Sequence, residues 1–140
     1  MFQNKYKRDG LADALRGHGI NPTHQRIEIA HAIFSHGEHL SADQILARVN
    51  GRASETSKAT VYNTLRLFVE KKLVREVIVD PSKVFYDPNP DPHHHFYNID
   101  TGELTDIDAR NIRVTRLPPL PRGMRKAGID IIVRIRSARA

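Results

Sequence analysis

The sequence predicts an α+β fold in two halves, a winged helix-turn-helix followed by a small α/β domain. Three observations carry this. Apolar residues up to Val69 recur at three- and four-residue spacing, the period of an amphipathic helix. From Leu73 onward the period shortens to that of strands. Between the halves, Asp87-Pro88-Asn89-Pro90-Asp91-Pro92 holds three prolines in six residues, which neither a helix nor a central strand tolerates. That run reads as a stiff hinge over 88–92, with one domain at 1–87 and another at 93–140.

Each element has a local reason. Leu11 and Leu15 predict a short helix over 5–17, stopped by Gly17 and Gly19. Asn21-Pro22-Thr23 restarts the chain, and Ile27, Ala30 and Phe34 give a second helix that Gly37 ends. Ser41 with Gln44 three residues later is a capping box, and Ile45, Leu46 and Val49 form the inner face of the helix it opens. Ser57 starts a fourth helix with Val61, Leu65, Phe68 and Val69 inward. Residues 73–79 and 84–86 then read as a hairpin about Asp80-Pro81-Ser82-Lys83, the wing of a helix-turn-helix.

Beyond the hinge, His94–Ile99 and Glu103–Ile107 are strand-like around Asp100-Thr101-Gly102. A brief helix is expected within 108–116, before Leu117-Pro118-Pro119-Leu120-Pro121 breaks it. Ile129, Ile131, Val133 and Ile135 alternate with polar residues in a last strand. Three strands in so short a stretch bury too little apolar surface to stand alone, so a homodimer is expected. A two-fold protein in turn expects an inverted-repeat site in double-stranded DNA.

Composition narrows the function. The chain has 140 residues, 39% apolar and 27% charged, with a net charge of +6. Its pI of 9.9 suits a nucleic-acid binder. The charge is spread, however: 13 basic and 10 acidic residues lie in 1–87, and 9 and 6 in 88–140. The absence of cysteine excludes disulfides, thiolate zinc sites and iron–sulfur clusters. No apolar run is long enough to span a membrane, and the N-terminal residues carry no leader pattern, so a cytoplasmic protein is expected.

On the fourth helix, Lys58, Tyr62 and Arg66 are four apart and line up opposite the apolar stripe, with Asn63 and Thr60 beside them. Lysine meets phosphate, arginine forks onto guanine, asparagine pairs with adenine, and a tyrosine ring meets a thymine methyl. The plain alternative is a solvated helix face. His93-His94-His95 is the sharpest chemical feature: on a strand, His93 and His95 share a face and His94 takes the other. His93 and His95 are half of a tetrahedral metal site, and His39 is a candidate third ligand. Haem is the other ligand of such a cluster, although two histidines on one face cannot bind its iron trans to each other. His18, His24, His31 and His36 read as surface or packing residues. A small metal-dependent hydrolase is the enzyme alternative, but no Ser-His-Asp pattern, phosphate-binding Gly loop or H-E-x-x-H motif is present, so no catalysis is expected.

Gly19-Ile20-Asn21-Pro22-Thr23-His24-Gln25-Arg26, Glu38-His39-Leu40-Ser41-Ala42 and Lys58-Ala59-Thr60-Val61-Tyr62-Asn63-Thr64-Leu65 together resemble the ferric uptake regulator family over about 8–138. The His93-His94-His95-Phe96 run, Leu117-Pro118 with Arg122-Gly123-Met124, and Asp130–Arg136 resemble its iron response regulator branch. The resemblance implies a winged-helix DNA-binding domain, a hinge and a dimerisation domain, with Tyr62 at the base-contacting position and Arg26 near the DNA backbone. It implies a transcription factor for iron and haem genes, with haem as signal and the His run as its site. A haem-biosynthesis enzyme is a candidate protein partner, and a repressor answering to Fe, Mn or Zn is the alternative. Three departures stand out. Asn98 and Thr101 occupy the places of a C-x-x-C zinc pair, so no Cys-ligated structural zinc is expected. Tyr86 stands where the regulatory metal site, matched at His39, His93 and His95, usually has Glu, and tyrosine can ligate ferric or haem iron. The Cys-containing haem motif is also absent.

Overall fold

The computed structural model describes residues 7–35, 39–51, 56–89 and 91–139. The chain divides into two compact units, Met1–Pro90 and Asp91–Ala140. His36, Gly37 and Glu38, and the first residues of the expected N-terminal helix, lie outside the described residues.

The first unit holds α1 (Arg8–Gly17), α2 (His24–Phe34), β1 (Leu40–Ser41), α3 (Ala42–Asn50), α4 (Lys58–Glu70), β2 (Arg75–Asp80) and β3 (Lys83–Asp87). The caps explain the starts. The Thr23 side chain accepts from the Arg26 amide, Ser41 and Gln44 form the full capping box, and the Ser57 side chain accepts from the Thr60 amide. Leu11, Leu15, Ile29, Ile33, Ile45, Val61, Leu65 and Phe68 form the centre of the core. Val61, Leu65 and Phe68 have no exposed surface, which orients α4 and leaves its opposite face to solvent. Burying one such side chain contributes ~1.5–3 kcal/mol. An Arg8–Glu28 ion pair of 2.7 Å ties α1 to α2. The wing is a three-stranded antiparallel sheet in the order β1-β3-β2. The two-residue β1 was not legible in the sequence, because it carries no alternating pattern of its own.

Two helix ends use the same closure. At α1 the Ile20 amide reaches back to the Leu15 carbonyl and the Gly19 amide to Arg16, with Gly19 at φ 75°. At α4 the Leu73 amide reaches Phe68 and the Lys72 amide reaches Val69, with Lys72 at φ 61°. Both are Schellman ends, whose turn residue is left-handed. Glycine enters that region freely, whereas a residue with a Cβ does so at a cost.

The second unit holds β4 (His93–Asn98), β5 (Leu104–Asp108), a 3₁₀ turn (Ala109–Asn111) and β6 (Ile132–Ile135). The sheet order is β5-β4-β6, with β4 antiparallel to β5 and parallel to β6. The helix expected within 108–116 is only the 3₁₀ turn, capped by the Asp108 side chain. Residues 112–131 run without helix or strand, and Val114, Leu117, Leu120 and Met124 are exposed along them. Prolines 118, 119 and 121 remove the amide donors a helix would need there. At the β4–β5 turn, the Asn98 side chain accepts from the Asp100 and Thr101 amides, and the Thr101 hydroxyl accepts from the Glu103 amide. Side-chain-to-backbone bonds therefore close the turn at the two positions where the resemblance implied the loss of a zinc pair.

Replacing Lys72 by Gly should relieve the left-handed strain at the end of α4. The expected gain is about 0.5–1 kcal/mol, after the extra entropy that glycine loses on folding. Chemical denaturation of the parent and Lys72→Gly checks this, and no gain would mean that Lys72 is not strained.

Candidate metal centre and nucleic-acid interface

The pleat of β4 sorts the histidine run. His93 and His95 are 5% and 3% exposed on one face, and half-buried His94 lies on the other. The His94 Nδ1 accepts from the Ile131 amide at 3.1 Å, which stitches β4 to the approach of β6. The antiparallel register sets Asp106 opposite His95 and Asp108 opposite His93, so both carboxylates share the histidine face. Asp108 is engaged by Arg110 through hydrogen bonds of 3.1 and 2.9 Å, which hold its carboxyl at a pKa of about 2. Asp106 is the one turned to the histidines: its Oδ1 lies 3.3 Å from His93 Nε2 and 3.4 Å from His95 Nε2.

The donor chemistry fits a cation. The His93 ring sits 2.6 Å through Nδ1 from the Asp91 carbonyl oxygen, an acceptor, so Nδ1 carries the proton. In neutral His93 the Nε2 lone pair then faces the Asp106 carboxylate, two acceptors against each other. Either a second proton or a cation resolves that opposition. Ligands held at ~2.0–2.2 Å by a tetrahedral ion lie roughly 3.3–3.6 Å apart, the spacing found here. The Asp91 carbonyl has the part of the outer hydrogen bond that orients a metal-binding imidazole.

In the first unit, His39 Nε2 lies 3.0 Å from Asp87 Oδ2, and Asp87 is 1% exposed. This corrects the expectation for Tyr86. Successive residues of β3 point to opposite faces, so the strand that turns Asp87 to His39 turns Tyr86 away. Tyr86 packs into the hydrophobic core, and burial above all, then the charge of Glu76, raises its pKa. The carboxylate that meets His39 within the first unit is that of Asp87, one residue on. In the sequence Asp87 reads only as the last residue of the 1–87 domain, and Asp106 only as part of a strand. The signal for Asp106 was its place on β5, which no spacing along the chain reveals without the register.

On α4, Lys58, Tyr62, Asn63 and Arg66 are exposed on one side. Thr60 is half-buried and its Oγ1 accepts from the Ser57 hydroxyl at 2.8 Å, so it belongs to the cap first. Arg26 is half-buried and its guanidinium donates to the Asn21 carbonyl at 3.0 Å, bracing the turn before α2.

Residues 17–126 match the Ferric uptake regulator family, and the chain belongs to that family. The family is one of DNA-binding, metal-responsive transcription regulators rather than enzymes. A peroxide-responsive repressor, PerR, from Staphylococcus epidermidis is 31% identical over 94 residues, covering 67% of this chain and 63% of the relative's length. The chain therefore matches less than two thirds of that protein. Among solved structures, the ferric uptake regulator of Pseudomonas aeruginosa with manganese has a TM-score of 0.67 at 22% identity, covering 90% of this chain and 96% of that one. The ferric uptake regulator of Francisella tularensis with iron has a TM-score of 0.69 at 18% identity, covering 86% and 93%. These likenesses establish the α+β fold, with helices and wing first and the sheet unit after, and the family as a whole rather than its iron response regulator branch.

Asp106→Asn should keep the β4–β5 register and weaken binding of Mn²⁺ by at least ~10–100-fold, the scale on which even outer-shell partners matter. Calorimetric titration of the metal-free protein checks this. An affinity equal to the parent's would remove Asp106 from the site.

Proposed function

We propose that this protein is a DNA-binding transcription regulator whose grip on an inverted-repeat operator is set by a divalent cation, Fe²⁺, Mn²⁺ or Zn²⁺. The single observation that carries the reading is the Asp106 carboxylate facing both imidazole Nε2 atoms on the buried face of β4. His93, His95 and Asp106, all on the sheet of the second unit, hold the ion. The two solved relatives hold manganese and iron, metals that suit oxygen-and-nitrogen ligands without thiolate. Lys58, Tyr62, Asn63 and Arg66 read the duplex, with Arg26 bracing the backbone approach, and the protein performs no catalysis.

The sheet face that carries Phe96, Val133 and Ile135 is the support for a homodimer, since these are 36–38% exposed on adjacent strands of the second unit. A dimer pairs with the two-fold symmetry of an inverted repeat. A regulator that binds DNA acts where the DNA lies, which supports the cytoplasm. Among the described residues, no helix is long and apolar enough to cross a membrane. An ion that binds one arrangement of the protein better must shift DNA affinity, and DNA must shift ion affinity by the same factor, commonly about 5–150-fold.

Haem control of iron and haem genes, the reading of the iron response regulator branch, rests on the His run, and a haem-biosynthesis enzyme as partner belongs to that reading alone. Titrating the metal-free protein with Mn²⁺, anaerobic Fe²⁺, Zn²⁺ and haem, with operator binding read in parallel, separates the two. The cation reading expects tighter operator binding that chelation reverses. Haem that loosens operator binding, and does so only while His93, His94 and His95 are present, would put haem in its place. Operator affinity indifferent to all of them would defeat both.

The DNA face has its own test. Tyr62→Ala should relax preference at an A/T position by roughly 1–3 kcal/mol, the scale of one good base contact. Lys58→Ala should weaken all sequences alike and lower the salt slope by about one. Filter binding across a salt series checks both, and parent-like behaviour of both variants would mean that α4 does not meet DNA.

A further inference from the structure

The DNA-facing residues of α4 share a neighbour that sequence reading passed over. Asp43 lies in the first turn of α3, between the two members of the Ser41–Gln44 capping box, so its backbone is fixed. The Tyr62 hydroxyl donates to Asp43 Oδ1 at 3.4 Å, and Lys58 Nζ lies 4.0 Å from the same oxygen. Lys58 Nζ also sits 5.6 Å from the centroid of the Tyr62 ring. One carboxylate oxygen thus collects the phenol assigned to a base and the ammonium assigned to a phosphate.

Folding gains little from this. The Asp43 and Lys58 side chains are 75% and 67% exposed, and exposed pairs are worth at most about 1 kcal/mol. The consequence falls on recognition. Tyr62 and Lys58 reach across from α4, and without a partner both are free rotors on a wet surface. A side chain held near its bound position loses less freedom on binding. A carboxylate on a face that meets a polyanion also competes with phosphate for Lys58 and repels the backbone.

We propose that Asp43 is a positioning residue for sequence reading. Its acceptor oxygen holds the Tyr62 hydroxyl in place for base contact, and its charge weakens binding that rests on phosphates alone. The inference rests on the assignment of α4 to DNA. Its two parts are separable, because asparagine keeps the acceptor and loses the charge, whereas alanine loses both.

The experiment compares the parent, Asp43→Asn and Asp43→Ala on two duplexes: an operator selected by the parent from a random-sequence library, and a scrambled duplex of the same composition. Both variants should bind scrambled duplex more tightly and show a steeper salt slope, by up to about one. Asp43→Ala should lower the ratio of operator to scrambled affinity by roughly 3- to 10-fold, as coupling between touching side chains does. Asp43→Asn should restore that ratio, and in a Tyr62→Phe background Asp43→Ala should no longer change it. A mere loss of helix stability moves neither ratio nor slope. Asp43→Ala with the parent's ratio, or a lowered ratio that persists undiminished in Tyr62→Phe, overturns the proposal. Lys58→Ala and Tyr62→Ala run alongside: if these also bind both duplexes like the parent, the DNA face itself is misassigned, and if they do not, only the role of Asp43 has failed.

Discussion

The register of β4 against β5 is the constraint on which the candidate site depends. His95 pairs with Asp106, and the two-residue period of the strands puts His93, His95 and Asp106 on one face. A slip by one residue would bring Ile107 or Thr105 opposite His95 and turn Asp106 to the far side. Nothing in the histidines themselves prevents that. The turn does: Asn98 collects the Asp100 and Thr101 amides, the Gly102 amide returns to the Asn98 carbonyl, and Gly102 takes φ 78°. A short, fully bonded turn fixes where β5 begins, and therefore which of its acidic residues meets the histidines.

The first unit solves a different problem, the presentation of a polar helix face. α4 is held by its inner stripe, Val61, Leu65 and Phe68, and by a defined end on either side. Ser57 sets where the helix starts, and the bond from Leu73 to Phe68 sets where it stops. With both ends and the buried stripe fixed, the rotation of the helix about its axis is fixed too. Lys58, Tyr62 and Arg66 are then all carried on the solvent side of the helix. The electrostatics of that face are local. The basic residues of the chain are spread over both units, so recognition rests on where a few charges stand rather than on the total.

What was legible in the sequence was whatever depends on near neighbours. The Ser41–Gln44 box, the Ser57 cap and the apolar spacing of α4 are contained within a few residues, and each is present in the structure. The shared face of His93 and His95 needs only a strand. What stayed hidden depends on pairing across distance. β1 exists only because Leu40 and Ser41 meet Tyr86 and Phe85. The parallel pairing of β6 with β4 cannot be read from either strand alone. Tyr86 and Asp87 are adjacent on β3, and strand parity, which pairing fixes, decides which of the two faces His39. The expected helix within 108–116 failed for the opposite reason, since the local helical signal there was weak and the prolines after it closed off propagation.

The second unit also shows why ion and assembly belong together in the proposed function. Its sheet has three strands, and one face carries His93, His95 and Asp106 beside Tyr97 and Leu104. The other exposes Phe96, Val133 and Ile135. Neither face is a hydrophobic core of ordinary size, and three strands with a polar centre on one side are marginal by themselves. A bound cation joins the imidazoles to the carboxylate and adds its binding free energy to folding, growing with the logarithm of its concentration over its dissociation constant. A second copy covers the apolar face by the same mass action. On this reading the unit is left short of stability in the two places where signal and partner act, which makes both able to govern its structure. A larger core would fold the unit without them and leave the ion with nothing to shift.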